Sequence, residues 1–187
     1  VSRESMIDEN SVKSALLFAY ESGFDIVFLQ IRGRGDAFYN SDIVKKNINI
    51  SNTFDPLEYA ITLGHALNLE IHVWINCYLL WSANSYPLDK SHILHTNPLW
   101  TESDIYGKLD SRIDLNSQKS PSWEGIFLSP MHQEVNQYLR EVIKEVHERY
   151  NIDGLHLDYI RYQDEYYGFH PDGRKEFDSL FNVDPLD

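Results

Sequence analysis

An aspartate, a histidine and an arginine stand close together in the stretch DGLHLDYIRY, residues 153–162. Asp158 follows His156 by two positions and precedes Arg161 by three. An aspartate flanked by such donors stays ionised, because opposite charge and hydrogen bonds favour the carboxylate. An ionised aspartate suits a nucleophile or the electrostatic stabilisation of an oxocarbenium ion. An ordinary ion pair between Asp158 and Arg161 that closes a strand end explains the same residues.

A loop rich in glycine and charge is the second candidate, QIRGRGDAFY over residues 30–39. Gly33 and Gly35 allow a sharp turn that brings the backbone close to a ligand. Four of its side chains suit sugar hydroxyl groups or a carboxylate: Arg32, Arg34, Asp36 and Tyr39. The loop lacks the glycine spacing of a phosphate-binding loop, and a purely structural turn explains it as well.

His72, Trp74 and Asn76 alternate along EIHVWIN and therefore share one face of a predicted strand. An amide and an imidazole beside an indole suit a sugar, whose polar edge is hydrogen-bonded while its CH face stacks. A histidine and a tryptophan satisfied within a core explain the pattern equally. Aromatic and histidine side chains further along predict either a glycan-binding rim or a satellite core: Trp81, Tyr86, His92, His95, Trp100 and Trp123.

Composition excludes several classes of protein. The 187 residues include 29 acidic and 16 basic side chains, and the net charge of −13 argues against a general nucleic-acid binder. The single Cys77 excludes a disulfide framework and a cysteine-rich zinc site. His92 and His95 stand near each other but belong to no HExxH or similar motif, so the sequence predicts no metal and no cofactor. No apolar run reaches the about 20 residues that span a bilayer.

Helical and strand periods alternate along the chain. Val12, Leu16 and Ala19 predict a first helix capped by Asn10 or Ser11. The pair Asp55-Pro56 opens a second helix, and a third carries Val135, Leu139, Val142, Ile143 and Val146 on one face. Runs of β-branched and aromatic residues predict strands over residues 25–31, 70–76 and 155–160. Val1 and Ser2 are the possible end of a further strand.

Strands that alternate with helices of crossover length predict parallel pairing and an α/β fold. Each strand has an aliphatic face and a polar face, such as Val27, Leu29 and Ile31 against Phe28, Gln30 and Arg32. Parallel sheets are normally covered on both faces. The pattern therefore favours a (β/α) barrel, whose lumen carries the active site at the carboxyl ends of the strands. An antiparallel sheet with one wet face is the alternative.

A complete barrel has eight strands and typically about 250 residues. We therefore expect one domain over residues 1–187, about the first half of a (β/α)8 TIM barrel, with strands one to four and truncation at both ends. The segment 77–122 is predicted to be a long functional loop. If the chain ended at Asp187, the half barrel would leave a sheet edge unpaired and need a partner, such as a second copy.

Four segments in order resemble the glycosyl hydrolase-like family typified by the bacterial YngK and DigH proteins: QIRGRGDAFYNS, FDPLEYAITLGHALNLEIHVWINCY, HILHTNPLW and YNIDGLHLDYIRY. The resemblance implies a (β/α)8 barrel that hydrolyses glycosidic bonds of polysaccharide. It also implies a bacterial protein that is secreted, periplasmic or lipid-anchored, with peptidoglycan glycan strands as the substrate of some members.

By resemblance to barrel glycosidases more widely, Asp158 at the end of strand four is the nucleophile and His156 the basic residue two positions earlier. Arg161 orients Asp158. Where the family often has Tyr-Pro after the arginine, this chain has Tyr162-Gln163, so we expect the following loop to differ from the family pattern. The general acid of such enzymes comes near the end of strand five, which we do not expect within these residues.

The sequence therefore predicts a glycoside hydrolase whose partner is an oligosaccharide or polysaccharide. The predicted substrate-binding residues are Arg32, Arg34, Asp36, Tyr39, His72, Trp74, Asn76 and Arg161, and the arginines suit a carboxylated glycan. A glycan-binding barrel without catalysis fits the missing acid. A metal-dependent hydrolase or deacetylase that uses the histidines is a further alternative.

Overall fold

Helices and strands alternate in the computed structural model, which describes residues 1–117 and 123–187. The α-helices are α1 (Glu9–Glu21), α2 (Pro56–Ala66), α3 (Ile93–Thr96), α4 (Gln133–Arg149) and α5 (Pro171–Phe181). The strands are β1 (Ile26–Arg32), β2 (Glu70–Asn76), β3 (Leu79–Trp81), β4 (Ile126–Phe127) and β5 (Gly154–Asp158). The chain divides into a first unit, Val1–Asn76 with Glu141–Asp158, and a second unit, Cys77–Arg140 with Tyr159–Asp187.

The first unit is built on a parallel sheet in the order β1–β2–β5. The parallel pairing confirms the predicted α/β class, and these three strands are not the antiparallel alternative. Strand β2 has the predicted bounds, whereas β5 ends at Asp158 and not at Ile160. The early end has a local cause, because Tyr159 adopts a left-handed backbone with φ of 52°.

Six aliphatic side chains form the core side of this sheet, and each is at most 5% exposed: Val27, Leu29, Ile31, Ile71, Val73 and Ile75. Helix α2 packs against β2 and against α1. Burying each such side chain stabilises the fold by about 2 kcal/mol. Leu155 of β5 was predicted on the same aliphatic side but is 40% exposed, unlike the aliphatic side chains of β1 at the other edge of the sheet.

Two aspartates cap the helices of the first unit. Asp8, not the predicted Asn10 or Ser11, caps α1, and its Oδ1 accepts a hydrogen bond from Ser11 N at 2.8 Å. Asp55 caps α2 as predicted. The predictions for α1 failed by two or three positions because Asp, Asn and Ser all favour the capping position and stand together there.

The predicted strand at Val1 and Ser2 is not formed, although Val1 bonds to β1. Its amino group donates to Phe28 O at 2.7 Å, and its carbonyl accepts from Gln30 N at 3.0 Å. The sheet of the first unit therefore has three strands within the described residues, and the predicted half barrel with four strands is not confirmed. The prediction of a single barrel domain stays a prediction.

The second unit has regular structure where the sequence predicted only a loop. Strands β3 and β4 pair antiparallel, and α3 with the 3-10 helices Pro98–Trp100 and Asp110–Arg112 adds further short elements. Residues 77–117 are therefore a mainly irregular segment with short regular elements, its predicted functional role stays a prediction, and residues 118–122 lie outside the described residues. Strands of three and two residues are too short to show a period of two.

Two carboxyl groups lie in the interior of the second unit. Glu102 and Asp110 are fully buried. Asp110 accepts hydrogen bonds from Phe127 N at 3.0 Å and Gln163 Nε2 at 2.7 Å, and Glu102 accepts one from Ser103 N at 2.8 Å. Burial raises the pKa of each carboxyl group to about 7, since desolvation of the charged form outweighs these hydrogen bonds.

Helix α4 is the third predicted helix, and its apolar stripe is buried at Val135, Leu139, Val142 and Val146. None of the helices in the described ranges is long and apolar enough to cross a membrane.

Candidate active site

The carboxyl ends of the three parallel strands bring several predicted site residues together. In the register of the sheet, Asn76 lies opposite Asp158, and Trp74 lies opposite His156. Neighbouring strands are about 4.8 Å apart, so Asp158 stands beside Asn76 at the same level. His156 shares the strand face of Asp158, two residues earlier.

The side chain of Asn76 is held inside the protein. Its Nδ2 donates to Gly33 O at 3.0 Å, and its Oδ1 accepts from Gln30 Nε2 at 3.4 Å. Its backbone carbonyl accepts from Arg32 Nη1. Asn76 is 3% exposed and Arg32 is fully buried, and their bonds fix the loop after β1. The sugar contacts predicted for both residues stay a prediction.

Aromatic rings cover the polar face of the sheet below Asp158. The ring of Phe28 meets those of His72 and His156 edge-on, with centroids 5.2 and 5.5 Å away. The rings of Trp74 and His156 are 6.1 Å apart. Phe28 is 42% exposed and His156 is exposed, so this face presents aromatic surface that a sugar ring can stack on.

The first two residues of the DGLHLD motif place the strand that ends in Asp158. Asp153 Oδ2 accepts from Ile71 N and contacts His65 Nε2, both at 2.7 Å. These contacts, that of Ile71 first, lower the pKa of Asp153. At Gly154 a Cβ atom would stand 2.2 Å from His72 Nδ1, so only glycine lets the imidazole lie against β5.

Asp36 is used to close the loop that follows β1. Its Oδ1 accepts from Arg34 N at 3.2 Å, and its other carboxylate oxygen accepts from the Asn47 side chain. Arg34 is half-buried in the same loop. Burial, and then the positive charge of Arg3, lower the pKa of Arg34.

Tyr39 lies inside the first unit, and its predicted place in the sugar subsite stays a prediction. It is fully buried, its ring meets that of Tyr150 edge-on at 5.8 Å, and its hydroxyl donates to Glu145 Oε2 at 3.3 Å. The sequence placed it with the loop, but its ring turns into the core of the first unit. Aromatic residues next to a ligand loop carry no pattern that separates these two directions.

Arg161 lies in the second unit and forms an ion pair with Glu124. Its Nη1 donates to Tyr162 O at 3.0 Å and Gln163 O at 3.1 Å. The guanidinium also lies 5.2 Å from the ring centroid of Tyr159, which fits a cation–π contact. The predicted orientation of Asp158 by Arg161 stays a prediction.

His92 and His95 of the second unit form hydrogen bonds with nearby backbone groups. His92 Nδ1 accepts from Leu94 N at 3.2 Å, and His95 Nε2 lies 2.8 Å from Pro87 O. Within residues 1–117 and 123–187, no three His, Cys, Asp or Glu side chains group around a metal position. The described residues therefore offer no set of ligands for the metal-dependent hydrolase or deacetylase considered from the sequence.

Side chains of the predicted aromatic rim form hydrogen bonds to other groups of the protein through their polar atoms. Trp81 Nε1 donates to Ser85 O at 2.7 Å, and Trp100 Nε1 donates to Glu134 Oε2 at 2.9 Å. The Tyr86 hydroxyl donates to Ile113 O at 2.8 Å. These bonds fit the interpretation as satellite packing.

Two residues near the site were not predicted as site residues. Gln30, which the sequence placed only on the polar face of the first strand, reaches Asn76 from there. Arg3 reaches Gly33 from the first 3-10 helix, Arg3–Met6, and no spacing rule connects positions so far apart in sequence.

A family model described as Glycosyl hydrolase-like 10 matches residues 1–181. Glycosyl hydrolase DigH of Escherichia coli (strain K12) is 24% identical over 164 residues, which cover 84% of this chain and 34% of that protein. Glycosyl hydrolase YngK of Bacillus subtilis (strain 168) is 27% identical over 145 residues, covering 73% and 25%. The chain thus spans a third or less of the length of these relatives.

Two solved structures share the fold. A hypothetical protein from Ruminiclostridium thermocellum superposes with a TM-score of 0.64 at 16% identity, covering 97% of this chain and 86% of that one. Alpha-L-fucosidase isoenzyme 2 from Paenibacillus thiaminolyticus superposes with a TM-score of 0.66 at 15% identity, covering 97% and 24%. Identities this low establish similarity of fold alone.

Proposed function

Because this chain belongs to the glycosyl hydrolase-like 10 family, we propose that it forms part of a glycoside hydrolase that cleaves a bacterial polysaccharide. The observation that carries the proposal is the position of Asp158 at the carboxyl end of β5. There it stands opposite Asn76 and on the strand face of His156. An acidic side chain at this end of a parallel strand is where barrel enzymes carry their chemistry.

The three-stranded sheet belongs to a (β/α)8 barrel in this proposal. Its parallel order, with α2 between β1 and β2 and α4 before β5, supports that assignment. The similarity of fold to an α-L-fucosidase structure supports it as well. The aliphatic side of the sheet faces helices, and the aromatic side faces the lumen.

Asp158 acts as the nucleophile, or it stabilises the oxocarbenium-like transition state through its charge. As nucleophile, its carboxylate bonds to the anomeric carbon while the leaving oxygen takes a proton from a second carboxylic acid. In this proposal His156, on the same strand face, orients the carboxylate of Asp158. His72 and Trp74 bind the sugar beside it.

The substrate is a glycan of the bacterial cell wall, and the protein acts outside the cytoplasm. The similarity to two bacterial proteins named glycosyl hydrolase supports a carbohydrate substrate, while the cell-wall substrate and the location follow from the family resemblance alone. Peptidoglycan glycan strands are the first substrate to test.

The decisive experiment replaces Asp158 by asparagine in the intact protein and measures the release of reducing ends from peptidoglycan glycan strands. We expect Asp158→Asn to lower kcat about 10³-fold or more, as loss of a nucleophile does. The matched control is Glu165→Gln, which neutralises an exposed carboxylate of the second unit. Unchanged release of reducing ends by Asp158→Asn contradicts the proposal.

A glycan-binding protein without catalysis is the second candidate, and one observation favours it. On the polar face of the three strands, the carboxylates are Asp158 and Glu70, and Glu70 stands at the amino end of β2. Hydrolysis needs a second carboxyl group within about 5–10 Å of the first. Tight binding of oligosaccharide with no turnover by the intact wild-type protein identifies this second function.

A further inference from the structure

The carboxylate of Glu145 holds part of the loop that follows β1. Glu145 lies on α4, in the part of this helix that belongs to the first unit, and it is 6% exposed. Its Oε2 accepts hydrogen bonds from the Tyr39 hydroxyl at 3.3 Å and from the hydroxyl of Ser41. Its Oε1 accepts one from Asp42 N at 2.7 Å. One buried side chain therefore binds three of the four residues 39–42, which we call the anchored stretch.

Two further residues at the end of α4 contact the anchored stretch. Arg149, one turn after Glu145, pairs with Glu145 Oε1 at 3.2 Å and with the carboxylate of Asp42. The hydroxyl of Tyr150 accepts a hydrogen bond from Asn40 N at 3.2 Å. The pair between Arg149 and Asp42 is exposed and adds little. Buried donors that lose their acceptor cost more, so the buried carboxylate of Glu145 carries most of the attachment.

The anchored stretch follows directly on two residues that the sequence predicts to bind sugar, Arg34 and Asp36. These two residues are joined to each other, because Asp36 Oδ1 accepts from Arg34 N at 3.2 Å. Ala37, which connects them to the anchored stretch, is bridged on one side to Arg32 of β1 and on the other to Lys46. Paired backbone leaves little slack, so a displacement of the anchored stretch also displaces Asp36 and Arg34.

Strand β5 is held in a different way. All five of its residues pair with β2, and Asp158 keeps its place opposite Asn76 through this pairing. None of these backbone contacts uses the carboxylate of Glu145. Loss of the Glu145 hydrogen bonds should therefore move the loop after β1 and leave the register of Asp158 as it is.

We propose that Glu145 is a positioning residue, which holds Arg34 and Asp36 where they bind the glycan. The inference rests on the proposed function, because it assigns these two loop residues to the binding of that substrate. Glu145 acts through the loop and not on the reacting atoms. Contacts that are equal in the bound substrate and in the transition state affect KM and leave kcat unchanged.

The test measures KM and kcat for the release of reducing ends from peptidoglycan glycan strands by the intact protein. Glu145→Gln keeps the size of the side chain, but its amide nitrogen cannot accept the hydrogen bonds of Tyr39 and Ser41. We expect KM to rise about tenfold and kcat to change less than about twofold. The matched control is Glu148→Gln, at an exposed carboxylate of the same helix, which should change neither constant.

A second control separates positioning from a general loss of stability. Val146→Ala truncates a fully buried side chain next to Glu145 in sequence, and should lower the thermal stability without raising KM. Hydrogen exchange locates the effect of Glu145→Gln without any substrate. Exchange should become faster in residues 38–44 and stay unchanged in β2 and β5.

Tyr39→Phe removes a single donor to Glu145 and keeps the test decisive if Glu145→Gln does not fold. It should raise KM about threefold, and it should add little to Glu145→Gln, because both changes break the same bond.

An unchanged KM in these variants overturns the positioning role and leaves the proposed function standing. An equal rise of KM in Val146→Ala overturns it too, because loss of stability then accounts for the effect. If the wild-type protein releases no reducing ends from the strands, the proposed substrate is wrong, and the positioning role falls with it.

Discussion

The two units differ in what fills their interiors. The sheet of the first unit buries a continuous block of aliphatic side chains, most of them on β1 and β2. The second unit buries polar groups next to its leucines: Thr101, Glu102, Ser103, Asp110 and Ser129. The first unit also buries polar groups, among them Arg32 and Glu145, but the second unit buries two carboxyl groups whose pKa is raised to about 7, so its stability depends on their protonation. The difference teaches that one chain can specify neighbouring units by different physical means.

The largest effect should come from the aliphatic core. Ile75→Ala empties space in the central strand, where Ile75 is fully buried, and should lower the free energy of unfolding by about 4 kcal/mol. Leu155→Ala is the matched control, because Leu155 is 40% exposed on the edge strand, and about 1 kcal/mol is expected. Urea denaturation measures both. Equal losses would mean that β2 is not the centre of this core.

The second unit should lose stability as the pH rises. Glu102 and Asp110 keep their protons in the folded state up to pH about 7, whereas the unfolded chain releases them near pH 4. The folded state therefore holds more protons between these values, and its stability falls across that window by about 3 kcal/mol for each carboxyl group. Hydrogen exchange of residues 101–110 at pH 5 and pH 8 measures the change.

Asp110→Asn tests the same contrast by mutation. The amide imitates the protonated carboxyl group, so exchange in the second unit should become less dependent on pH, while the first unit changes little. Glu165→Gln, at an exposed carboxylate of the second unit, is the control and should leave the pH dependence as it is. A wild-type second unit that is equally protected at both pH values contradicts the role of its buried carboxyl groups.

Close packing at Gly154 should produce a smaller effect, confined to the first unit. Gly154→Ala places a methyl group 2.2 Å from His72 Nδ1 and forces the ring to move, at a cost of about 2 kcal/mol. Gly23→Ala meets no atom within 4 Å, although Gly23 has φ of +77°, and about 1 kcal/mol is expected there from the backbone alone. Thermal unfolding measures the stability of both variants. If Gly23→Ala is the less stable of the two, the close approach of His72 does not constrain position 154.

The smallest effect concerns the cap of α1. Asp8→Ala removes the acceptor for Ser11 N and should lower the free energy of unfolding by about 1 kcal/mol. Asn10→Ala should change it by less than about 0.5 kcal/mol, since Asn10 lies inside the helix and is exposed. Chemical denaturation of the two variants distinguishes the observed cap from the one that the sequence predicted.

The sequence predicted the first unit well because its signals are local. The bounds of β2, the cap at Asp55 and the stripe of α4 follow from residue spacing over a few turns. The parallel order followed from the helices between the strands. The short elements within residues 77–117 and the burial of Glu102 and Asp110 were not predicted, because elements of three or four residues show no period and the burial of a carboxyl group depends on distant contacts. Helix α5 was missed although His170 and Pro171 form a recognisable start.

The features of the candidate site also fall into those that the sequence predicted and those that it did not. Asp158 at a strand end and the shared face of His72 and Trp74 follow from the pleat. The burial of Tyr39 and the packing of Arg3 on Gly33 depend on contacts between distant positions, which spacing along the chain does not encode. Sequence patterns identify which side chains share a surface, but not which long side chains turn inward.

The chain leaves the first unit directly after Asn76, returns within α4 at Glu141, and leaves again after Asp158. Strand β5 can therefore pair with β2 only after the intervening about eighty residues have been brought into a closed loop, an entropic barrier that slows folding. We expect the β1–β2 pair to form early and β5 to dock late. On this order of events, the residue proposed as the nucleophile is among the last parts of the sheet to acquire its native neighbours during folding.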